Sequence, residues 1–166
     1  MMKGSPIPRI PLQLSQEYIV ASIQIDLTEE VLKQFRQDLL DRLYQTHAKG
    51  LILDLSGVEV MDYADFQAID ATLSMASVMG ATTILTGFQP GVVSSLVDFN
   101  AELDHIQATL NLDDAFELMR RLHSDVNALF AEESEEDLET ELEEDEASRS
   151  DIVPPLEENL EDNGSI

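Results

Sequence analysis

Residues 50–69 of the sequence read GLILDLSGVEVMDYADFQAI, and the order of residue types in this stretch decides the fold. Four of the residues 51–55 are Leu or Ile, and the run lies between Gly50 and the pair Ser56-Gly57. A short apolar run without alternating polar residues is typical of a strand that is covered on both faces. The stretch therefore predicts a strand in the middle of a sheet, followed by a tight loop.

A helix is predicted directly after this loop. Asp62 stands at the N-cap position, where its carboxylate can accept a hydrogen bond from a free amide of the first turn. We therefore expect a helix from about residue 64 to residue 79, with its positive end beside Asp62. Its apolar residues recur at helical spacing, with no Gly or Pro among them: Phe66, Ile69, Leu73 and Ala76.

The residues before the central strand predict two strands and a helix. Residues 10–14 and 18–25 have the composition of strands, and the turn-forming residues 15–17 join them. From Thr28, which suits an N-cap, apolar residues recur every four positions. They predict a helix that ends before Lys49.

The residues after the second helix continue the alternation. Residues 82–86 are β-branched and apolar and predict a fourth strand, and residues 87–90 predict a loop that leads into a short helix. We expect a brief edge strand at residues 105–108 and a last helix capped by Asp113 or Asp114. Strands that alternate with helices imply an α/β layer fold.

The charge of the chain is unevenly distributed. The 166 residues carry a formal net charge of −25, of which residues 132–166 supply −15 through sixteen acidic residues and Arg149. The remaining −10 belongs to residues 1–131. Residues 132–166 have too few apolar residues and too much like charge to fold alone. We therefore predict a globular domain over residues 1–131 and a disordered acidic tail over residues 132–166.

Composition and motifs argue against several function classes. Strong negative charge disfavours direct nucleic-acid binding, and no apolar run is long enough to span a bilayer. The sequence has no Cys, no phosphate-binding loop and no His pair at metal-ligand spacing, so neither a cofactor nor a metal is expected. Asp54 could act as a general acid or base, but a residue at a strand end more often caps the following loop. We expect no enzyme activity and, because the N-terminus lacks the apolar core of a signal peptide, a cytoplasmic location.

Five short motifs occur in one order along residues 6–123: IPRIP at 7–11, SIQI at 22–25, DLS at 54–56, MGA at 79–81 and TGFQP at 86–90. In this order and spacing they resemble the STAS domain family of anti-sigma factor antagonists, and within it the small stressosome scaffold proteins of the RsbS type. The resemblance implies a single STAS-like domain with a mixed β-sheet and about four helices packed mainly on one side of it.

The resemblance also implies a non-enzymatic scaffold. Such a protein assembles with a larger STAS-domain stressosome protein of the RsbR type and sequesters a switch serine/threonine kinase of the RsbT type in stress signalling. Homo- and hetero-oligomers are then expected, with neither nucleic acid nor a membrane as a partner. Two other functions stay open: a phosphorylation-switched antagonist that binds an anti-sigma factor directly, and an adaptor whose acidic tail binds a basic partner.

The predicted regulatory and partner-binding site combines the start of the second helix with the loop after the fourth strand: Asp62, Tyr63, Ala64, Asp65, Phe88 and Gln89. In the family a serine, which the switch kinase phosphorylates, follows the cap aspartate. Here Tyr63 stands at that position, and its phenol oxygen lies further from the backbone than a serine hydroxyl would. Asp65 adds fixed negative charge near the place of the phosphate, which suggests a state locked as if phosphorylated. The other interpretation makes Asp62 only an N-cap, Tyr63 a surface aromatic and Asp65 a first-turn acid that suits the helix dipole.

Overall fold

A computed structural model describes residues 6–127, and this part of the chain forms five strands and four helices. They are β1 (Leu12–Ser15), β2 (Tyr18–Ser22), α1 (Glu29–Thr46), β3 (Gly50–Asp54), α2 (Tyr63–Val78), β4 (Thr82–Thr86), α3 (Pro90–Asp98), β5 (Gln107–Thr109) and α4 (residues 112–127). The chain divides into two units, Met1–Leu122 and His123–Ile166, and the packing discussed below lies within the first. The predicted acidic tail and its boundary near residue 131 lie outside the described residues.

One mixed sheet contains all five strands, in the order β1-β2-β3-β4-β5. β1 and β2 are antiparallel, and every other pair of neighbours is parallel. β3 is therefore the central strand, and all five of its residues are buried. The prediction made from residues 51–55 is confirmed, because a strand between two parallel neighbours is covered on both faces and needs apolar side chains on each.

Three strands have boundaries that differ from the sequence-based expectation. β1 begins at Leu12, directly after Pro11, whose nitrogen has no hydrogen to donate. β2 ends at Ser22 because its last partner is Asp54, the final residue of β3. β5 spans Gln107–Thr109 rather than residues 105–108, since its register is set by pairing with the end of β4.

The main core lies between one face of the sheet and the helices α1, α2 and α3. Leu51 and Leu53 face this core from the central strand. Each helix contributes the apolar side chains that recur along one of its faces, as the spacing predicted. The buried helical residues include Phe35, Leu39, Ile69, Leu73, Val92 and Leu96.

The helix α4 covers the opposite face of the sheet. Side chains alternate between the two faces of a strand, so Ile52 points away from Leu51 and Leu53. It belongs to a second, smaller core that it forms with Tyr18, Ile84, Ala115 and Met119. With three helices on one face and one on the other, the described part of the chain has the predicted α/β architecture.

Of the caps predicted for the first and the last helix, the first is confirmed and the second is not. Thr28 caps α1 as predicted, since its hydroxyl accepts a hydrogen bond of 3.3 Å from the amide of Val31. The prediction that Asp113 or Asp114 caps the last helix is wrong. Asn111 does so: its side-chain oxygen accepts a 2.9 Å hydrogen bond from the amide of Asp114. Asn and Asp are about equally good caps, and acids also suit the first turn, so residue type alone could not separate them.

Residues 6–127 include no helix that combines the length and the apolar character needed to cross a bilayer.

Candidate functional site

The start of α2 is an exposed helix end with a complete capping box. Asp62 has extended backbone geometry, and its carboxylate accepts a 2.8 Å hydrogen bond from the amide of Asp65. In return, the Asp65 carboxylate accepts a longer bond, 3.5 Å, from the amide of Asp62. The predicted N-cap is confirmed, and the helix begins at Tyr63, one residue earlier than expected. Two of the free amides at this helix end are thus satisfied by the two acids.

The surroundings of Asp65 shift the pKa of its carboxyl. Partial burial raises the pKa of the Asp65 carboxyl above its ordinary value, and the negative charge of Asp62 raises the pKa further. The hydrogen bond from the Asp62 amide opposes this shift, because it favours the ionised form. The balance leaves Asp65 more easily protonated than a free aspartate.

Tyr63 lies on the flank of α2 that faces α3. Its side chain is 49% exposed, and its ring meets the ring of Phe99 in an edge-to-face arrangement with centroids 5.7 Å apart. Phe99 is the C-cap residue of α3. Tyr63 is therefore anchored to the neighbouring helix, and its hydroxyl lies at the far end of a ring rather than beside the first-turn amides.

Ala64 and Asp65 lie on the other flank of the helix start, where α2 faces α1. There a groove of about 330 Å³ separates the two helices. We call this the α1–α2 groove; its walls include Leu32, Lys33, Arg36, Ala64, Asp65 and Ala68. Small residues on α2 leave room for the groove, and the two basic residues come from a single face of α1, three positions apart.

Asp54 has a structural role at the end of the central strand. It is 8% exposed, and its two carboxylate oxygens are both engaged. One accepts a 2.9 Å hydrogen bond from the amide of Ser56, and the other accepts a 3.3 Å bond from the hydroxyl of Ser22. Asp54 therefore caps the loop that follows β3, as the commoner interpretation of the sequence predicted.

The loop after β4 packs closely against this capped loop. Gly87 has a φ of +74°, and a Cβ at this residue would lie 2.7 Å from a carboxylate oxygen of Asp54 and 2.9 Å from the amide of Ser56. Only a residue without a side chain fits here. Phe88 is half-buried and packs against the main core, and Gln89 precedes α3 as an N-cap without a side-chain hydrogen bond.

The structure thus places the six predicted site residues in two groups. Asp62, Tyr63, Ala64 and Asp65 share one helix end, while Phe88 and Gln89 lie in the loop that precedes α3. Sequence reasoning missed the residues that flank the helix end. Phe99, Lys33 and Arg36 are of residue types and at spacings that are common in any amphipathic helix, so the sequence carried no signal for them.

No cluster of acidic or histidine side chains in residues 6–127 could hold a metal ion. The ring nitrogen Nε2 of His105 lies 2.7 Å from the carboxylate of Asp70, which joins the segment before β5 to α2. This contact accounts for His105 without a ligand role.

The fold and this exposed helix end define the chain as an α/β domain of the STAS type. The chain belongs to the STAS domain family, whose profile matches residues 9–115. No curated protein matches the sequence significantly.

Solved structures similar to this chain include two from the stressosome. A serine-to-glutamate variant of RsbS from Moorella thermoacetica is 26% identical, with a TM-score of 0.62 over 69% of this chain and 97% of that protein. A structure described as the molecular architecture of the stressosome, a signal integration and transduction hub, is also 26% identical, with a TM-score of 0.61 over 68% of this chain and 98% of the other. The anti-sigma factor antagonist SpoIIAA in its unphosphorylated form shares the fold at 16% identity and a TM-score of 0.56, over 67% of this chain and 96% of SpoIIAA.

Proposed function

We propose that this protein is a non-enzymatic scaffold of the stressosome type. In this role it assembles with a larger STAS-domain protein of the RsbR type and sequesters a switch serine/threonine kinase of the RsbT type in the cytoplasm. The start of α2, with Asp62, Tyr63, Ala64 and Asp65, is the docking surface for the kinase. Phe88 and Gln89 extend this surface along the neighbouring loop.

The observation that carries the proposal is the exposed, doubly capped start of α2 in a domain similar to RsbS. Asp62, Tyr63 and Ala64 are all exposed at this helix end. The similarity to the two stressosome structures extends over nearly the whole of each of those chains. Each acid of the capping box accepts a hydrogen bond from a backbone amide of the helix end. Such a surface can hold a partner without transforming it.

Tyr63 determines how the scaffold differs from a phosphorylation-switched antagonist. A kinase that transfers phosphate to a serine at this position needs a hydroxyl close to the first turn of the helix. The hydroxyl of Tyr63 instead lies at the far end of the ring that contacts Phe99. The kinase therefore binds without modifying this position, and its release does not depend on phosphorylation there.

The proposal is tested with purified proteins from the same genome: the full-length chain, the larger STAS-domain protein and the switch kinase. Light scattering after size-exclusion chromatography, with and without ATP and Mg²⁺, is expected to show a complex that contains the kinase in both conditions. Intact-mass spectrometry is expected to show that this chain stays unmodified. A chain that binds neither protein would overturn the proposal.

Two tyrosine variants sharpen the test. Tyr63→Ser returns a hydroxyl to the family position, and we expect it to be phosphorylated and then to release the kinase. Tyr44→Ser is the matched control, because Tyr44 is 74% exposed on α1 and is not part of the proposed surface. Thermal unfolding establishes that both variants are folded. If the Tyr63→Ser variant still binds the kinase in the presence of ATP, as the unchanged chain does, Tyr63 does not determine whether phosphorylation releases the kinase.

A further inference from the structure

We propose that the α1–α2 groove binds a carboxylate side chain of the partner protein, held by Lys33 and Arg36. This inference rests on the proposed function, because it adds a second contact region beside the start of α2 and states the chemistry of the partner segment that fits it. The occupant is an Asp or Glu on an exposed segment of the partner, followed or preceded by a small apolar residue.

The first observation is that the two basic residues have no partner of their own. Within residues 6–127, neither Lys33 nor Arg36 forms an ion pair or a side-chain hydrogen bond. By contrast, Arg9 pairs with Asp38 and Lys49 pairs with Glu17. Arg42 and Arg120 likewise have no acidic partner among the described residues, but Lys33 and Arg36 differ from them in lining one groove together.

The second observation is that Arg36 is only half-exposed. A guanidinium group presents several N–H donors in a planar fork that matches a carboxylate. When such a group is partly withdrawn from water and has no acceptor, an arriving carboxylate gains more from the contact than it would on an open surface. Lys33 is exposed beside it and supplies a second, more mobile positive charge.

The walls of the groove set its size and polarity. Leu32 and Thr72 are buried and close the groove, while Ala64 and Ala68 leave it open. The volume of about 330 Å³ is at the lower end of ligand-binding clefts and suits one or two side chains rather than a cofactor. Apolar surface next to a basic pair favours a short acidic side chain with a small apolar neighbour.

The surrounding acids make the groove selective. Glu29 and Asp65 line it together with the two basic residues, and residues 1–131 carry a net charge of −10. An acidic partner segment is repelled by most of this surface and attracted only where Lys33 and Arg36 are available. Charges arranged in this way fix the orientation of a partner more than they raise its affinity.

The groove also shares two residues with the docking surface. Ala64 and Asp65 line the groove and belong to the start of α2. A partner that covers this helix end is therefore in reach of Lys33 and Arg36 without moving either helix. The contact would fix the partner on the α1 side, while Tyr63 and Phe99 bound the surface on the α3 side.

The experiment measures binding of the full-length chain to the purified switch kinase and to the larger STAS-domain protein by isothermal titration calorimetry. We expect Arg36→Gln to raise the dissociation constant about tenfold and Lys33→Gln to raise it less. The reason is that a charged contact in a partly buried site is stronger than an exposed one. Arg36→Lys is expected to retain only part of the binding, since it keeps the charge but loses the planar fork of donors. Arg42→Gln is the matched control: Arg42 lies on the same helix outside the groove, and the change of net charge is identical.

The outcomes separate the two proposals. If the unchanged chain binds and Arg36→Gln weakens binding no more than Arg42→Gln, the groove has no role and the scaffold function stands. If the unchanged chain binds neither protein, the proposed function fails and the inference fails with it. Loss of binding after phosphatase treatment of the partner would show that the groove takes a phosphate, which would overturn the assignment to a carboxylate.

Discussion

The ring of Tyr63 meets the ring of Phe99 edge to face, with centroids 5.7 Å apart and an interplanar angle of 67°. This contact links the first residue of α2 to the residue that ends α3. The side chain of Tyr63 is thus built into the packing of the domain. It is part of the surface and, at the same time, part of what holds two helices together.

The contact between Tyr63 and Phe99 is expected to contribute measurably to stability. Tyr63→Ala should lower the free energy of unfolding by about 1 kcal/mol, because an edge-to-face aromatic pair is worth roughly 0.5–1.5 kcal/mol beyond the area it buries. Tyr63→Phe keeps the ring and should have almost no effect. Urea-induced unfolding followed by circular dichroism measures both variants, and equal losses would show that the hydroxyl rather than the ring matters.

The capping box at Asp62 is expected to stabilise the start of α2. Asp62→Ala should lower the free energy of unfolding by about 1 kcal/mol, the usual cost of removing a good N-cap. Asp62→Asn should retain most of that energy, because its side-chain oxygen can accept the same hydrogen bond from the amide of Asp65. Thermal unfolding distinguishes the variants, and an unstable Asn variant would mean that charge, rather than the hydrogen bond, provides the stabilisation.

Asp65 gives the stability of the domain a specific pH dependence. Because the pKa of Asp65 in the folded state is raised above its ordinary value of 3.8, the folded state binds more protons than the unfolded state between the two pKa values. This residue's contribution to the free energy of unfolding therefore falls as the pH rises through that interval and stays lower at neutral pH.

Carboxyl NMR titration of Asp65 measures this pKa directly. Asp62→Asn should lower it, since the neighbouring negative charge is removed, but only part of the way, because burial is the larger cause. A pKa of Asp65 that is at or below 3.8 in the unchanged protein would contradict the expected pH dependence.

Gly87 and Gly80 allow the effect of backbone geometry to be separated from the effect of crowding. Both have positive φ values, +74° and +89°, but a Cβ would meet Asp54 and Ser56 at Gly87 and nothing within 4 Å at Gly80. Gly80→Ala should cost about 1 kcal/mol for the left-handed conformation. Gly87→Ala should cost roughly 1–3 kcal/mol more, because it also disrupts the hydrogen bond between Asp54 and Ser56. If chemical denaturation shows similar losses of stability for the two variants, the loop at Gly87 accommodates the added Cβ by moving, without strain.

The contribution of the second core to stability can be measured by comparing a substitution of the buried Met119 with the same substitution of an exposed methionine. Met119 is fully buried against Gly50, where an added Cβ would come within 2.7 Å of its sulfur, whereas Met75 is 42% exposed. Met119→Ala should lower the free energy of unfolding by about 2–5 kcal/mol, since it leaves a cavity. Met75→Ala should cost well under half of that. Equal effects of the two substitutions on urea unfolding would mean that α4 contributes little to the stability of the folded domain.

Much of the fold could be predicted from local patterns. The apolar run at residues 51–55 required a doubly covered strand, and Thr28 and Asp62 marked the helix starts because their side chains satisfy free amides. The end of β2 and the position of β5 could not be predicted from local patterns. They depend on where the neighbouring strands end, and this is a property of the sheet rather than of the local sequence.

The candidate site was predicted less completely than the fold. Asp62 could be recognised as an N-cap because an aspartate there satisfies a free amide, whereas the return bond to Asp65 became visible only in the structure. Phe99, Lys33 and Arg36 could not be recognised, since they come to the start of α2 from α3 and α1 through tertiary packing. Their residue types and spacing are common on any helix, and only the structure shows that the two cations have no acidic partner among the described residues.

Within residues 6–127, a single helix, α4, covers the second face of the sheet. If it detached by itself, the main core beneath α1, α2 and α3 would stay intact, so such local opening costs less than global unfolding. It would uncover Tyr18, Ile52 and Ile84 on three adjacent strands. An exposed apolar strip of this kind promotes aggregation with unfolded chains and with other copies of the protein. Detachment of α4 would therefore expose the protein to aggregation through this face of the sheet.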